Sequence, residues 1–150
     1  MKKILYIDLD NVLVAFESAF PHLSKKVMIE YEGRLDEVPG IFSLMEPVDG
    51  AVEAFSKLAV KFDTYILSTS PWENPSAWSD KLIWVKKYLG THAYKRLILS
   101  HHKELNIGDY LIDDRLKNGA DKFQGELIHF GSDQFPDWNA VVLYLSEKSK

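Results

Sequence analysis

Short apolar runs recur along the chain, and segments with helical spacing separate them. The runs show little alternation with polar residues, which is typical of strands covered on both faces of a parallel sheet. They lie at Ile4–Ile7, Thr64–Leu67, Leu97–Leu99, Tyr110–Ile112 and Leu127–Phe130. Strands that alternate with helices indicate βαβ units with right-handed crossovers. The pattern therefore predicts an α/β fold, a doubly wound, Rossmann-like parallel sheet of about five strands.

Three segments between or after these runs carry apolar residues three and four positions apart, as amphipathic helices do. The first contains Val52, Phe55, Leu58 and Ala59. In the second, a shared face is predicted for Leu82, Val85, Lys86 and Leu89, with Gly90 as the C-terminal cap. The third, Asp137 through Leu145, follows Pro136, a residue common at helix starts.

The stretch 15–47 breaks this alternation. It begins with a helical pattern at Phe16, Ala19 and Phe20 and continues through charged residues, glycines and prolines. A chain of 150 residues fits one domain, since single cores usually contain about 100–200 residues. We therefore expect one domain with a core of residues 1–14 and 48–150, and a small cap inserted at 15–47 after the first strand.

Composition excludes several classes of protein and of site. The chain has no cysteine, which rules out a disulfide framework, a thiolate zinc site and a cysteine nucleophile. A net charge of −4 disfavours a nucleic-acid polymer or a membrane surface as partner. The apolar run before Asp8 has only four residues, fewer than the roughly 7–15 of a signal peptide. We expect a cytoplasmic protein, and the sequence makes no prediction about its oligomeric state.

Polar residues follow four of the predicted strands. Because ligands bind outside the carboxyl ends of parallel strands, these residues should converge on one edge of the sheet. They are Asp8 and Asp10; Ser68, Thr69 and Ser70; His101, His102 and Lys103; and Asp113 and Asp114. Neighbouring histidines of an extended segment point in opposite directions, which disfavours His101 and His102 as a metal-binding pair. The other histidines, His22, His92 and His129, are interpreted as surface or packing residues.

Asp8 and Asp10 are the first candidates for chemistry. Two residues apart on an extended chain, their side chains share a face about 6.5–7 Å apart, so one can attack a bound group while the other handles a proton. Taken alone, the pair fits a solvated strand end equally well, and Asp113 with Asp114 fits a helix cap.

Four converging carboxylates would repel one another unless a cation lies among them. Mg²⁺, which prefers oxygen ligands, would also let an acidic protein bind a phosphate dianion.

Two further segments could bind an anion. Ser68-Thr69-Ser70-Pro71 is either an anion-binding turn or an ordinary Ser/Thr turn. Lys103 is either a solvated lysine or, beside the four acids, a phosphate clamp.

The four polar segments that follow the predicted strands resemble, in their order along the chain, the four motifs of the haloacid dehalogenase (HAD) superfamily of phosphohydrolases. Asp8-Leu9-Asp10-Asn11-Val12 resembles the first motif, Thr69 the second, Lys103 the third and Asp113-Asp114 the fourth. A closer resemblance is to the 5′(3′)-deoxyribonucleotidase family. It rests on Pro47 to Ala54, Thr69-Ser70-Pro71, Trp84 to Gly90, Leu111 to Arg115 and Asp137-Trp138.

The resemblance implies roles for the two acids of the first motif. Asp8 would be the nucleophile and would form an aspartyl-phosphate intermediate, while Asp10 would protonate the leaving alkoxide and then activate water. Mg²⁺ would be bound by Asp8, the backbone carbonyl of Asp10 and Asp113, with Asp114 as a further ligand or a supporting residue.

The resemblance also implies a phosphate site and a substrate pocket. Thr69, the N–H of Ser70 and Lys103 would hold the phosphate, together with Asn11, which stands where the family usually has Gly. The segment 15–47 is shorter than the family's helical cap, which supplies an aromatic base pocket. Candidates for lining such a pocket are Phe16, Phe20, Phe42 and Trp72.

Together these features predict a Mg²⁺-dependent phosphomonoesterase acting on a small phosphorylated metabolite, with a nucleoside monophosphate favoured. One alternative is a HAD phosphatase acting on a sugar phosphate. Another is a receiver-type phosphoacceptor module, which is disfavoured because its phosphorylated Asp follows the third strand, where this chain has His101-His102-Lys103.

Overall fold

A five-stranded parallel sheet lies at the centre of the computed structural model, which describes residues 1–150. Its strand order is β5-β4-β1-β6-β7, and a separate antiparallel pair is formed by β2 and β3. The strands are β1 Ile4–Ile7, β2 Val14–Ala15, β3 Glu46–Pro47, β4 Asp63–Ser68, β5 Leu97–Leu99, β6 Tyr110–Asp113 and β7 Glu126–His129. The predicted five-stranded parallel sheet is confirmed, with the first strand at its centre.

Four α-helices accompany the sheet: α1 Lys25–Glu30, α2 Ala51–Lys61, α3 Pro75–Leu89 and α4 Trp138–Lys148. The last three correspond to the predicted amphipathic segments. The Asp137 carboxylate caps α4 by accepting a hydrogen bond from the Ala140 N–H at 3.0 Å. No helix combines the length and the apolarity that a membrane crossing demands.

The buried face of α3 differs from the one that the sequence predicts. Leu82 and Lys86 were expected to face the core but are exposed. The buried positions are instead Ala77, Lys81, Trp84, Val85 and Leu89. The reason is that α3 packs against the inserted segment as well as the sheet: the Trp84 indole N–H donates to the Met45 carbonyl at 3.1 Å.

The two faces of the sheet are covered differently. Strand residues such as Leu5, Ile7 and Ile66 face α2, α3 and α4 and belong to one cluster of 30 buried residues. On the opposite face, Tyr6, Leu67 and Leu111 are covered by Ala120 and Phe123. That second face carries short turns in place of long helices, because the β6–β7 connection contains only a 3-10 segment, Ala120–Lys122.

The insertion consists of short helical segments. Phe16–His22 is a 3-10 helix with Pro21 inside it, and α1 and two further 3-10 segments follow, Leu35–Glu37 and Ile41–Leu44. Pairing of Val14 with Pro47 and of Ala15 with Glu46 brings the two ends of the insertion together. Asn74 ties the insertion to the start of α3 by donating from Nδ2 to the carbonyls of Asp36 at 2.9 Å and Val38 at 3.0 Å.

Candidate active site

The carboxyl ends of the central strands bring the candidate residues together. Asp8 follows β1, and its backbone N–H donates to the Ile112 carbonyl on β6 at 2.9 Å. Asp113 ends β6, and Thr69 follows β4. Lys103 reaches the same place from the connection between β5 and β6. The four polar segments that the sequence assigns to one edge thus lie around a common pocket, which is lined by Asp8, Asp10, Thr69, Lys103 and Asp113 among others.

Lys103 is buried between two carboxylates. Its Nζ lies 3.0 Å from Asp8 Oδ1 and 2.6 Å from Asp113 Oδ2, and only 3% of the residue is exposed. Burial lowers the pKa of Lys103, but the attraction of Asp8 and Asp113 outweighs it, so the pKa lies above its ordinary value. Lys103 is therefore a permanent positive charge in the pocket and not a solvated lysine.

Three carboxylates lie close enough to share a cation. One oxygen each from Asp8, Asp113 and Asp114 falls within 4.8 Å of the others. Burial raises the pKa of Asp8 well above its usual range, with Lys103 acting in the opposite direction, and burial also raises the pKa of Asp114. The attraction of Lys103 thus does not balance the cost of burying Asp8. The donor set consists of hard oxygens in a negatively charged pocket and suits a divalent cation.

Neighbouring groups hold the fourth motif in place. The backbone N–H of Arg115 donates to Asp113 Oδ1 at 3.1 Å. The Nε2 of His129, at the end of β7, lies 3.0 Å from the Asp114 carbonyl. His129, interpreted from the sequence as a surface or packing residue, thus contacts the backbone of the acidic motif.

The Asp10 side chain is separate from the acidic cluster. One oxygen, Oδ2, lies 3.1 Å from Lys81 Nζ, while Oδ1 is enclosed and has no hydrogen-bond partner. Lys81, which is fully buried on α3, was not among the residues predicted from the sequence. A signal was present, because Lys81 stands four residues after Ala77 and three before Trp84, on the apolar stripe of the helix.

The proposed phosphate-binding residues lie at the pocket but differ in their hydrogen bonding. The Thr69 hydroxyl donates to the Ser100 carbonyl at 2.8 Å, whereas the Ser70 hydroxyl is buried without a partner. Asn11 adopts a left-handed backbone with φ 60°, and its Oδ1 accepts a weak hydrogen bond from the Phe16 N–H at 3.3 Å. The conformation explains how Asn, which tolerates φ > 0 better than most residues, can stand where the family usually has Gly.

A larger cavity of about 660 Å³ adjoins the pocket and shares Asp10 and Thr69 with it. Of the four candidate aromatic residues, Phe16 and Trp72 line this cavity. Phe42 does not, because it is only 2% exposed and packs edge-on behind Phe16, and Phe20 packs against Phe16 from another side. The sequence could not separate these roles, since each of the four aromatics fits a core position equally well.

Three polar residues of the site were not proposed from the sequence, whereas His101 was expected at this edge of the sheet. Arg115, Lys117 and Asn118 line the small pocket. His101 lines the larger cavity, with its ring centroid 5.9 Å from those of Trp72 and Trp78. His102 lines neither cavity. Arg115 and Lys117 add two positive charges to the lining of this acidic pocket, which favours an anionic ligand.

Comparison with known proteins identifies the family. The family model described as 5′ nucleotidase, deoxy (pyrimidine), cytosolic type C protein (NT5C) matches residues 21–136. A protein of Vibrio phage KVP40 assigned by name as a 5′(3′)-deoxyribonucleotidase is 61% identical over 149 residues, covering 99% of this chain and 88% of the phage protein. The human cytosolic-type 5′(3′)-deoxyribonucleotidase is 31% identical over 124 residues, covering 81% of this chain and 54% of the human protein.

A solved structure supports the fold. A haloacid dehalogenase-like family hydrolase from Xanthomonas campestris matches with a TM-score of 0.56 at 10% sequence identity, covering 99% of this chain and 97% of that one. The family model and the relatives confirm the resemblance to deoxyribonucleotidases, and the solved structure confirms the fold expected of a HAD protein. The chain has the fold of a haloacid dehalogenase-like hydrolase and belongs to the 5′ nucleotidase, deoxy (pyrimidine), cytosolic type C family.

Proposed function

We propose that this enzyme is a Mg²⁺-dependent phosphomonoesterase that removes phosphate from nucleoside monophosphates through an aspartyl-phosphate intermediate. The observation that carries the proposal is the arrangement of Asp8, Lys103 and Asp113 in a small pocket beside a larger cavity with aromatic walls. The small pocket suits a phosphate group, and the larger cavity suits a nucleoside. The names of the relatives support the nucleotide as the substrate class.

In the first step, a carboxylate oxygen of Asp8 forms a bond to phosphorus and the ester P–O bond breaks. Asp10 gives its proton to the departing alkoxide. In the second step, Asp10 takes a proton from water, the water oxygen attacks phosphorus, and phosphate leaves as the Asp8 carboxylate is restored. Lys103 offsets negative charge on Asp8 and on the phosphoryl group throughout. The N–H of Ser70, a residue that borders the larger cavity together with Thr69, is proposed to donate to a phosphate oxygen.

The residues present fit a magnesium ion. Asp8, Asp113 and Asp114 would hold it, together with the backbone carbonyl of Asp10 that the resemblance implies. When bound, the ion neutralises negative charge on the phosphate and on the acids around it.

The segment 15–47 is proposed to act as a cap over the larger cavity. Phe16, Gly33, Leu35 and Asp36 of this segment line the cavity opposite Trp72. Phe16 and Trp72 are the residues proposed to contact the base or sugar. A cytoplasmic location is proposed from the cytosolic type of the human relative.

Phosphate release from a panel of nucleoside monophosphates and sugar phosphates, with Mg²⁺ or with EDTA, tests the proposal. We expect Mg²⁺-dependent turnover with a preference for nucleotides, and its loss in Asp8→Asn. A preference for sugar phosphates would support the alternative substrate class. A lasting phosphoenzyme with no turnover of any substrate would support a phosphoacceptor module, and undiminished activity of Asp8→Asn would disprove the nucleophile assignment.

A further inference from the structure

Lys81 is the one fully buried lysine of the molecule, and the proposed chemistry gives it no task. It lies on α3, far along the chain from the motif residues. Burying an ammonium group is costly unless the group is paired and hydrogen-bonded, so its surroundings indicate what holds it there. We infer that Lys81 is a positioning residue that holds Asp10 ready for proton transfer to the leaving group. This inference rests on the proposed function.

The Lys81 ammonium group has three oxygen partners. Its Nζ lies 3.1 Å from Asp10 Oδ2, 2.9 Å from the Ser68 hydroxyl and 2.8 Å from the Thr69 carbonyl. An ammonium group has three N–H donors, so all of them are used. Each partner lies at the carboxyl end of a central strand or directly beyond it, so that one side chain fixes the first motif relative to the second.

The ion pair leaves the two oxygens of Asp10 unequal. Oδ2 is held by Lys81, while Oδ1 is enclosed and has no partner. Asp10 also lines both the small pocket and the larger cavity. A carboxyl group with one oxygen anchored and the other free has little freedom to rotate. The pairing with Lys81 therefore fixes the orientation in which the Asp10 carboxyl group meets the reacting groups.

A second contact links Lys81 to the insertion. Its Nζ lies 4.7 Å from the centroid of the Phe42 ring, a cation–π contact in a buried setting. Phe42 in turn packs against Phe16, which lines the larger cavity. The same lysine therefore contacts the proton-transfer residue, the strand end that carries Thr69, and the segment proposed to cover the substrate.

Dependence on the leaving group distinguishes this role from a purely structural one. A nucleotide releases a poor alkoxide leaving group that needs a proton, whereas p-nitrophenyl phosphate releases a phenolate that leaves without one. Proton transfer of this kind contributes about 10²–10⁴-fold to a rate. A misplaced Asp10 should therefore slow phosphoryl transfer from a nucleotide far more than from p-nitrophenyl phosphate.

The experiment compares kcat/KM for a nucleoside monophosphate and for p-nitrophenyl phosphate in wild type, Lys81→Met and Asp10→Asn. We expect Lys81→Met to lower kcat/KM by about 10–100-fold on the nucleotide and by less than about threefold on the aryl phosphate. On the aryl phosphate, kcat and KM should fall together because the phosphoenzyme breaks down more slowly. Lys86→Met, an exposed lysine on the same helix, is the matched control and should match wild type on both substrates.

A double variant and a milder variant complete the test. If Lys81 acts through Asp10, Asp10→Asn with Lys81→Met should be little slower than Asp10→Asn alone. Circular dichroism establishes that each variant is folded. If Lys81→Met does not fold, Ser68→Ala, which removes one of the three anchors, should lower the nucleotide-to-aryl ratio of kcat/KM by about threefold or more.

Equal losses on both substrates, no loss at all, or additive losses in the double variant would overturn the inference. These results differ from failure of the proposed function, in which wild type would release phosphate from neither substrate or Asp8→Asn would remain active. An unchanged substrate ratio in Lys81→Met, beside an inactive Asp8→Asn, would leave the phosphatase mechanism standing and remove Lys81 from it.

Discussion

Replacing Lys103 with methionine should destabilise the folded protein, because it removes the positive charge that pairs with the buried acids of the pocket. Lys103 lies between Asp8 and Asp113, and all three residues are at most 6% exposed. Met has nearly the length of Lys but no charge, so the variant would leave two buried carboxylates facing each other across an apolar side chain. Removing one partner of a buried ion pair costs about 3–5 kcal/mol. In a chain of this size that corresponds to a fall in Tm of about 6–20 °C.

The loss of stability in Lys103→Met should be larger at high pH than at low pH. Burial raises the pKa of Asp8 in the folded protein above its value in the unfolded chain, and removing Lys103 raises it further. An acid of this kind destabilises the folded state fully once the pH exceeds its folded pKa. This penalty shrinks as the pH falls below that value and is gone only below the pKa of the unfolded chain. The difference in Tm between wild type and Lys103→Met should therefore be largest above neutrality and shrink in mild acid.

Thermal unfolding followed by circular dichroism, in EDTA across a pH series, measures this difference. Lys122→Met, an exposed lysine, serves as the control and should match wild type within about 0.5 kcal/mol. Excess Mg²⁺ should restore part of the lost stability, since it replaces the missing positive charge. Equal Tm values for Lys103→Met and wild type at alkaline pH, or a deficit that stays constant with pH, would refute the reasoning.

Three further outcomes are expected. At 100 times its Kd, Mg²⁺ should stabilise the wild type by about 2.7 kcal/mol in thermal unfolding, whereas Asp113→Asn should show little of this shift; an undiminished shift would place the metal elsewhere. Gly119→Ala should cost more than about 1 kcal/mol in urea unfolding, because Gly119 has φ +86° and a Cβ there would overlap the Glu104 carboxylate. Gly131→Ala is the control, because Gly131 has φ +89° but open space around it, so its loss of stability measures the backbone strain alone. Equal losses of stability in the two variants would contradict the predicted overlap at Gly119. Trp138→Phe should cost about 1–3 kcal/mol by leaving the Val12 carbonyl, 2.8 Å from the indole nitrogen, without its partner; an unchanged urea midpoint would argue against that hydrogen bond.

The sheet and the acidic residues of the site could be predicted from the sequence for a common reason. Strands buried on both faces appear as unbroken apolar runs, and parallel strands place the residues that follow them on one edge. Asp8, Asp113 and Lys103 come directly after such runs or shortly beyond them. Their convergence is thus a consequence of the topology and requires no knowledge of side-chain packing.

Lys81 and Phe42 show where this reasoning stops. Lys81 lies within a helix, and its partners are 12 to 71 positions away along the chain, so that only the packing angle of α3 brings them together. Phe42 looks like a pocket residue by type but lies beneath Phe16. Helical periodicity gives the spacing of residues that share one face of α3. It does not tell which face is buried when the helix packs against a second surface, here the insertion, and this explains the error at Leu82 and Lys86.

The short β2–β3 pairing gives the insertion a property relevant to protein engineering. Val14 and Pro47, and Ala15 and Glu46, lie side by side, so the two attachment points are already closed by backbone pairing. Closing a longer loop between fixed ends costs only about 0.6 kcal/mol for each doubling of its length. Segments of quite different size could therefore be exchanged at this stem without altering the register of β1 against β4 and β6. Substrate range could then be redesigned by exchanging the proposed cap, residues 15–47, while the phosphate pocket stays as it is.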